Sequence, residues 1–231
     1  MAYTRGEIKR IIRQRADLEN TTAQVDSELD DHINDSAAVL HDLLISCAGN
    51  VYARETGTFN TAINVSIYDQ TSNPNIYKLI RVSTPFDDLS YPLARFEKEG
   101  IISKNIQTSW GPGYLPRYSA DIMPTGIWRI EFEPPPDRVT SVELTYHPFP
   151  PVYTSDSDVI AIPYSDYIVI ESVLRMKDKE DRDTLRIERE RAAIQKRIED
   201  WGANFDQANP QRTLDSPSRY SRAIWRRERI F

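Results

Sequence analysis

The spacing of apolar residues changes twice along this chain of 231 residues. Near both ends, apolar side chains recur every three or four residues, which is the period of an amphipathic helix. From about residue 55 to 154 they alternate with polar residues, which is the period of a strand with one buried face. A chain with this pattern combines helices from its two ends with an inserted β region. The predicted fold class is therefore α+β, a helical bundle with an inserted antiparallel β domain.

Two helices are predicted before residue 50. The first begins at Thr4, because Thr4 and Glu7 have the spacing of a capping box. Its inward face carries Ile8, Ile11, Ile12 and Ala16. The second begins at Val25 and Asp26, where acidic residues favour the positive end of the helix, and ends at Gly49. Its buried stripe consists of Val25, Leu29, Ile33, Ala37, Leu40, Leu44 and Cys47.

Strict alternation predicts strands at residues 128–133 and 142–146. Residues 134–138 between them are rich in turn formers, so the two strands are predicted to pair as an antiparallel hairpin. Weaker strand patterns cover residues 59–68 and 76–82. Residues 103–125 include the turn formers of Trp-Gly-Pro-Gly-Tyr and are predicted to form an exposed loop.

Two further helices are predicted after the β region. The first follows Ile162 and Pro163, and its inward residues are Ile168, Val169, Ser172, Val173 and Met176. The last has a narrow apolar seam, and its periodicity ends after Gly202. The predicted domains are a helical body (1–54 and 155–203), a β insertion domain (55–154) and an extended C-terminal arm (204–231). The residues predicted to pack the helices together are Leu29, Ile33, Leu40, Leu44, Ile194, Ile198 and Trp201.

Charge and cysteine content narrow the functional classes. The formal charge is −6, but residues 212–231 hold six arginines against Asp215 and Glu228, a net of +4 that leaves −10 elsewhere. An acidic body argues against a protein whose main task is to grip nucleic acid, because that binding neutralises phosphates. Cys47 is the only cysteine, which excludes an intramolecular disulfide and predicts synthesis in a reducing cytoplasm. We expect no membrane segment, because no apolar run approaches the roughly 20 residues that a bilayer requires.

No pattern of residues predicts an active site. The histidines are His32, His41 and His147, and the first two are about 180° apart around one helix, so they cannot bind the same metal ion. Alternating carboxylates at the start of that helix resemble a calcium loop, but Asp31 stands where such a loop needs glycine. The chain contains no phosphate-binding glycine loop, nucleophile elbow or zinc-protease motif. We therefore expect no catalytic residue, metal or cofactor.

The end of the chain interleaves arginines with aromatic and aliphatic residues. The candidate docking arm consists of Arg219, Tyr220, Arg222, Ile224, Trp225, Arg226, Arg227, Arg229, Ile230 and Phe231. Arginine and aromatic residues are enriched at protein interfaces, so the arm is predicted to dock on a protein. Two alternatives stay open: a solvated tail, and a nucleic-acid-binding tail in which bases stack on the rings.

Several short motifs resemble a known family in their order along the chain. They are Asp-Ser-Glu-Leu-Asp-Asp-His-Ile-Asn-Asp-Ser at 26–36, Tyr-Lys-Leu-Ile-Arg-Val at 77–82, Tyr-His-Pro at 146–148 and Ile-Pro at 162–163. This order is similar to that of the adaptor, or head-to-tail connector, proteins of tailed bacteriophages, the class that includes the tail tubular protein A of short-tailed phages. The resemblance covers most of residues 4–202.

The resemblance implies a structural virion protein of the portal–tail junction rather than an enzyme. It implies a twelve-fold homo-oligomeric ring that docks on the portal protein through the C-terminal arm, with the β domain toward a tail or nozzle protein. Double-stranded DNA would pass through the ring without specific binding, and an acidic wall suits that passage. Two alternatives remain: a tail-completion or other accessory structural protein that does not contact the portal, and a nucleic-acid-binding protein that uses the basic arm.

Overall fold

The structure is a computed structural model, and it describes residues 3–16, 26–48, 52–71, 75–86, 89–96, 116–179 and 183–208. Helices from both ends of the chain surround one core, and mostly antiparallel sheets form a second. The predicted α+β fold class is confirmed.

The helices of the described residues are α1 (Arg5–Ala16), α2 (Asp26–Ala48), α3 (Asp166–Lys179) and α4 (Leu185–Ala208). The predicted capping box is present at the start of α1. The Thr4 amide donates to Glu7 Oε2 over 2.8 Å, and the Glu7 amide donates to Thr4 Oγ1 over 3.2 Å. The box satisfies two amides that have no partner within the helix.

α3 is the central helix of the bundle, because it packs against each of α1, α2 and α4. Its inward residues are all buried: Ile168, Val169, Ser172, Val173 and Met176. The same core buries Leu29, Ile33, Leu40, Leu44, Ile194 and Ile198, and Trp201 packs against it. Val25 lies outside the described residues. The apolar stripes of four helices thus meet around one central helix.

In the part of the β region that the structure describes, the strands form two four-stranded sheets. The first has the order β2 (Glu55–Asn60), β9 (Ser141–Pro148), β4 (Ile76–Phe86) and β5 (Leu89–Pro92). The second has the order β3 (Ile67–Asp69), β8 (Trp128–Glu133), β7 (Arg117–Ile122) and β6 (Ala94–Arg95), in which β6 and β7 are parallel. A small pair of strands, β1 (Tyr3–Thr4) and β10 (Val159–Ile160), places the start of α1 beside the chain that leads into α3.

The predicted hairpin between residues 128–133 and 142–146 is wrong, because these strands belong to different sheets. β8 pairs with β7 and β3, whereas β9 pairs with β2 and β4. The inner faces of the two strands meet in one core, where Ile130 and Phe132 lie with Val142 and Leu144. Alternation identified the buried face of each strand correctly, but it carries no information about the partner strand.

Two other predictions in the β region are wrong: part of the predicted loop 103–125 is a strand, and the predicted strand 59–68 is divided in two. Within the predicted loop 103–125, residues 103–115 lie outside the described residues, but residues 117–122 form β7. Tyr118 and Ala120 are buried in the β core, and the turn formers at residues 110–114 precede them. The predicted strand at 59–68 is two strands, since β2 ends at Asn60 and β3 begins at Ile67.

The last helix does not end after Gly202 as predicted, because α4 continues to Ala208. Glycine is required at this position for packing: a Cβ atom on Gly202 would lie 2.3 Å from the carbonyl oxygen of Cys47 on α2. The two backbones can approach this closely only where no side chain stands between them. The predicted arm boundary at residue 204 therefore falls inside α4, and residues 209–231 lie outside the described residues.

Candidate functional site

The predicted site residues fall into two groups. The helix-packing residues lie in or against the bundle core, as described above. The docking arm, residues 219–231, lies outside the described residues, so its role stays a prediction. The described part of the chain contributes its own candidate features: two charged clusters, a groove, an acidic helix face and an apolar tip.

His41 and His147 lie at the junction between the bundle and the first sheet, and both rings are almost fully buried. His41 Nε2 lies 3.0 Å from the carbonyl oxygen of Pro148, and its Nδ1 lies 3.5 Å from the Tyr52 hydroxyl. His147 Nδ1 lies 3.3 Å from the carbonyl oxygen of Ala53, and burial lowers the pKa of His147. These hydrogen bonds join α2 to the end of β9 and join both to the segment between α2 and β2, which is a structural role.

A charged cluster, which we call the N-terminal clamp, consists of Arg5, Lys9, Asp30 and Asp156. Lys9 Nζ lies 2.5 Å from Asp30 Oδ1 and 2.8 Å from Asp156 Oδ1. The Arg5 guanidinium lies 3.0 Å from the same Asp156 oxygen and donates to the Tyr153 carbonyl over 2.9 Å. Both cations are buried, which proteins tolerate when the charges are paired. The clamp attaches α1 to α2 and to the segment between β9 and α3.

The clamp favours the charged forms of Lys9 and Asp156. Burial disfavours the ammonium of Lys9, but hydrogen bonds to Asp156 and Asp30 outweigh this effect and raise its pKa. The same hydrogen bond from Lys9, together with those from Arg5, lowers the pKa of Asp156. The clamp is not evident from the sequence, because lysine and arginine side chains on a helix normally face solvent. The spacing of Arg5 and Lys9 nevertheless indicates that they are buried, since both lie on the same helix face as the core residue Ile12.

A second charged cluster crosses the bundle and has Glu171 at its centre. Glu171 Oε1 lies 3.4 Å from Arg175 Nε, and Glu171 Oε2 lies 3.2 Å from Arg191 Nη1. Arg175 Nη1 in turn lies 2.9 Å from Asp35 Oδ2. Because these four residues belong to α2, α3 and α4, the cluster holds three helices together. The Glu171 side chain is only 10% exposed, so its two arginine partners compensate a largely desolvated charge.

A groove opens between α1, α3 and α4 and encloses a cavity of about 370 Å³. We call it the basic groove, and its lining residues are Arg15, Ile170, Val173, Lys177, Arg186, Ile187 and Glu190. The floor is apolar, because Ile170 and Val173 are buried. Among the described residues, the rim carries three cations and one carboxylate. Glu190 lies 3.5 Å from Arg15 and 3.4 Å from Arg186. The rim is therefore net positive.

Negative charge dominates α2, which contains no lysine or arginine along its 23 residues. Its solvent side, which we call the acidic face, exposes Asp31, Asp35 and Asp42. Val39 is 37% exposed and lies between the last two of these carboxylates. At about 100° per residue, these four residues fall within roughly 80° of the helix circumference. They form one continuous stripe.

An apolar surface lies at the end of the first sheet that is distant from the bundle. We call it the β tip, and it consists of the loops 61–66 and 134–140. The Thr61 amide donates to the Thr140 carbonyl over 2.9 Å, and the Asn64 amide donates to the Pro136 carbonyl over 2.8 Å. The apolar residues that the tip exposes are Ile63, Val65 and Val139. Paired loops that expose several apolar side chains are typical of a binding surface.

No protein-family model matches the sequence, and no curated protein matches it. In the described ranges, no helix is both long enough and apolar enough to cross a membrane. The same residues contain no group of three or more histidine, cysteine, aspartate or glutamate side chains that could hold a metal ion.

Proposed function

We propose that this chain is a structural subunit of the ring that connects the portal to the tail of a bacteriophage. The observation that carries the proposal is the path of the chain. Segments near both of its ends build one helical bundle, and the segment between them forms a two-sheet β region inserted into that bundle. This is the order of elements that the resemblance to adaptor proteins implies.

The positions of the four resembling motifs support the proposal. Residues 26–36 begin α2 and residues 77–82 lie in β4. Residues 146–148 end β9, and residues 162–163 precede α3. The Pro148 carbonyl also contacts His41 of α2, so the third motif lies where the β region returns to the bundle. Two of the four motifs, at residues 146–148 and 162–163, thus lie where the β part returns to the helical part.

The surfaces suit a subunit with two separate partners. β9 runs for eight residues from the β tip to the bundle, a length of about 23 Å at the usual rise of a strand. We assign the β tip to the tail or nozzle protein, because Ile63 is 57% and Val139 is 65% exposed there. The docking arm follows α4, whose Gly202 lies against Cys47 near the end of α2. We assign the arm to the portal.

The proposed role is non-catalytic. Double-stranded DNA would move through the ring without specific binding, and the charge of −10 outside residues 212–231 suits a conduit that does not hold phosphate. The protein would reside in the virion at the portal–tail junction.

Mixing the purified chain with isolated portal assemblies, followed by electron microscopy, tests the proposal. We expect a twelve-fold ring to be added to the portal. Deletion of residues 209–231 leaves α4 whole and removes the arm, and we expect it to abolish the addition. Within the arm, Trp225→Ala with Phe231→Ala is expected to weaken docking, whereas Ser216→Ala with Ser218→Ala serves as the matched control.

The alternatives give different results. A chain that binds tail proteins but never adds to the portal is an accessory structural protein instead. Salt-sensitive binding to short DNA that depends on the arm, without docking on the portal, would favour the nucleic-acid-binding alternative.

A further inference from the structure

The composition of the basic groove defines the chemistry of its occupant. Its floor, with Ile170 and Val173 buried, suits a small apolar side chain. Its rim keeps positive charge, because Glu190 faces Arg186 and Arg15 while Lys177 adds a third cation. An occupant with complementary charge therefore presents an apolar residue flanked by carboxylates.

The acidic face of α2 has this composition. Val39 follows Asp35 by four residues and precedes Asp42 by three, so the two carboxylates lie about 10 Å apart along the helix with an apolar side chain between them. Arg175 contacts Asp35 from α3, but α2 itself carries no cation. The face is therefore acidic, exposed and apolar at its centre.

The groove and the acidic face lie on opposite sides of α3. The face of this helix that contacts α2 carries Ser172, Arg175 and Lys179. The helix lines the groove with Ile170, Val173 and Lys177. At about 100° per residue, the two sets point about 160° apart. A chain cannot place its own acidic face in its own groove, whereas a second copy can do so in a head-to-tail contact.

We propose that the basic groove of one copy receives the acidic face of the next copy. Val39 lies over the apolar floor, and the three carboxylates of the acidic face, Asp31, Asp35 and Asp42, lie at the cationic rim. The contact is heterologous, so its repetition closes a ring when the rotation per copy allows closure. This inference rests on the proposed connector function and deepens it, because it names the two surfaces through which neighbouring copies of the ring meet.

Charge reversal tests the contact. The groove variant carries Lys177→Glu and Arg186→Glu, and the face variant carries Asp31→Lys and Asp42→Lys. A matched control, Lys196→Glu with Arg197→Glu, makes the same change of charge at exposed positions of α4 outside the groove. Circular dichroism verifies that each variant is folded. Association is measured by sedimentation velocity at low ionic strength, where charge pairing is strongest.

We expect the wild-type chain and the control to associate as concentration rises, and each reversed variant to associate at least tenfold more weakly. An equimolar mixture of the two variants is expected to recover association, because every junction between unlike copies then joins opposite charges. A wild-type chain that stays monomeric throughout, a reversed variant that associates like wild type, or a mixture that fails to recover would each overturn the proposal.

The portal takes no part in this experiment, so the two proposals fail separately. A chain that adds to the portal but fails the mixing test refutes the groove contact alone. A chain that passes the mixing test but never adds to the portal refutes the connector function and leaves the contact in place.

Discussion

The close contact between Gly202 and Cys47 predicts an unusual sign for a common substitution. In an exposed helix interior, replacing glycine by alanine stabilises a protein by up to about 1 kcal/mol. At Gly202 the new Cβ would lie 2.3 Å from the Cys47 carbonyl oxygen and 2.6 Å from the carbonyl carbon. Comfortable contacts between such atoms are about 3.5 Å, so α4 must move away from α2 by about 1 Å. We expect Gly202→Ala to lower the free energy of unfolding by about 1–3 kcal/mol, the usual cost of overpacking.

Urea unfolding followed by circular dichroism and tryptophan fluorescence measures this change. Cys47 supplies a second readout, because it is the only cysteine and lies at the contact. Displacement of α4 is expected to raise the rate at which a thiol reagent labels Cys47 in the Gly202→Ala chain. The matched control is Ala203→Gly at the adjacent exposed position, which is expected to cost about 1 kcal/mol through helix propensity without changing the labelling rate.

The sign of the stability change decides the outcome. A Gly202→Ala chain that is more stable than wild type, with Cys47 labelled at the wild-type rate, would show that the helices do not approach each other this closely. The interpretation of Gly202 as a contact residue would then be wrong.

Three further predictions concern the interior and the β tip. Glu171→Gln removes the charge that Arg175 and Arg191 share, and we expect a loss of about 1–3 kcal/mol in urea unfolding at pH 7; unchanged stability would contradict the role of this cluster. Burial lowers the pKa of His147 in the folded chain below its ordinary value of 6.5. The unfolded chain therefore binds a proton at His147 more readily than the folded chain does. The free energy of unfolding consequently falls as the pH falls below 6.5. His147→Asn is therefore expected to lose less stability than wild type between pH 7.5 and 5.5, and an NMR titration that places the wild-type ring at or above 6.5 would refute the reasoning. Ile63→Asp with Val139→Asp changes two exposed residues of the β tip, so the free energy of unfolding is expected to stay within about 0.5 kcal/mol of wild type. The same variant is expected to bind the tail or nozzle protein more weakly. Unchanged binding would show that the β tip is not part of that interface.

Local features were predictable from sequence because they depend on residues within one or two turns. The capping box of Thr4 and Glu7 is present, and the apolar stripe of α2 from Leu29 to Leu44 faces the core. The buried face of β8 was also predicted correctly, since alternation along a strand reports which side is apolar. In each case the sequence contains both of the groups that interact, close together along the chain.

The partners of the strands were not predictable in the same way. β9 lies between β2 and β4, and its register with β2 pairs Glu55 with Tyr146. A Pro-rich turn after β8 favoured pairing with the next strand, but the two apolar faces are buried better when the strands face each other from separate sheets. The choice depends on the packing of the whole β core.

The sequence by itself determined where the four helices and the strands β4, β8 and β9 form, which face of each helix is apolar, and that α2 is acidic. Only the tertiary structure decided that Gly202 is a contact with Cys47 rather than a helix stop. It also decided that Arg15, Lys177 and Arg186, from three helices, lie around one groove on the side of α3 opposite to α2. The physical reason is that periodicity and capping are interactions between near neighbours along the chain, whereas convergence of distant side chains is set by how the helices cross.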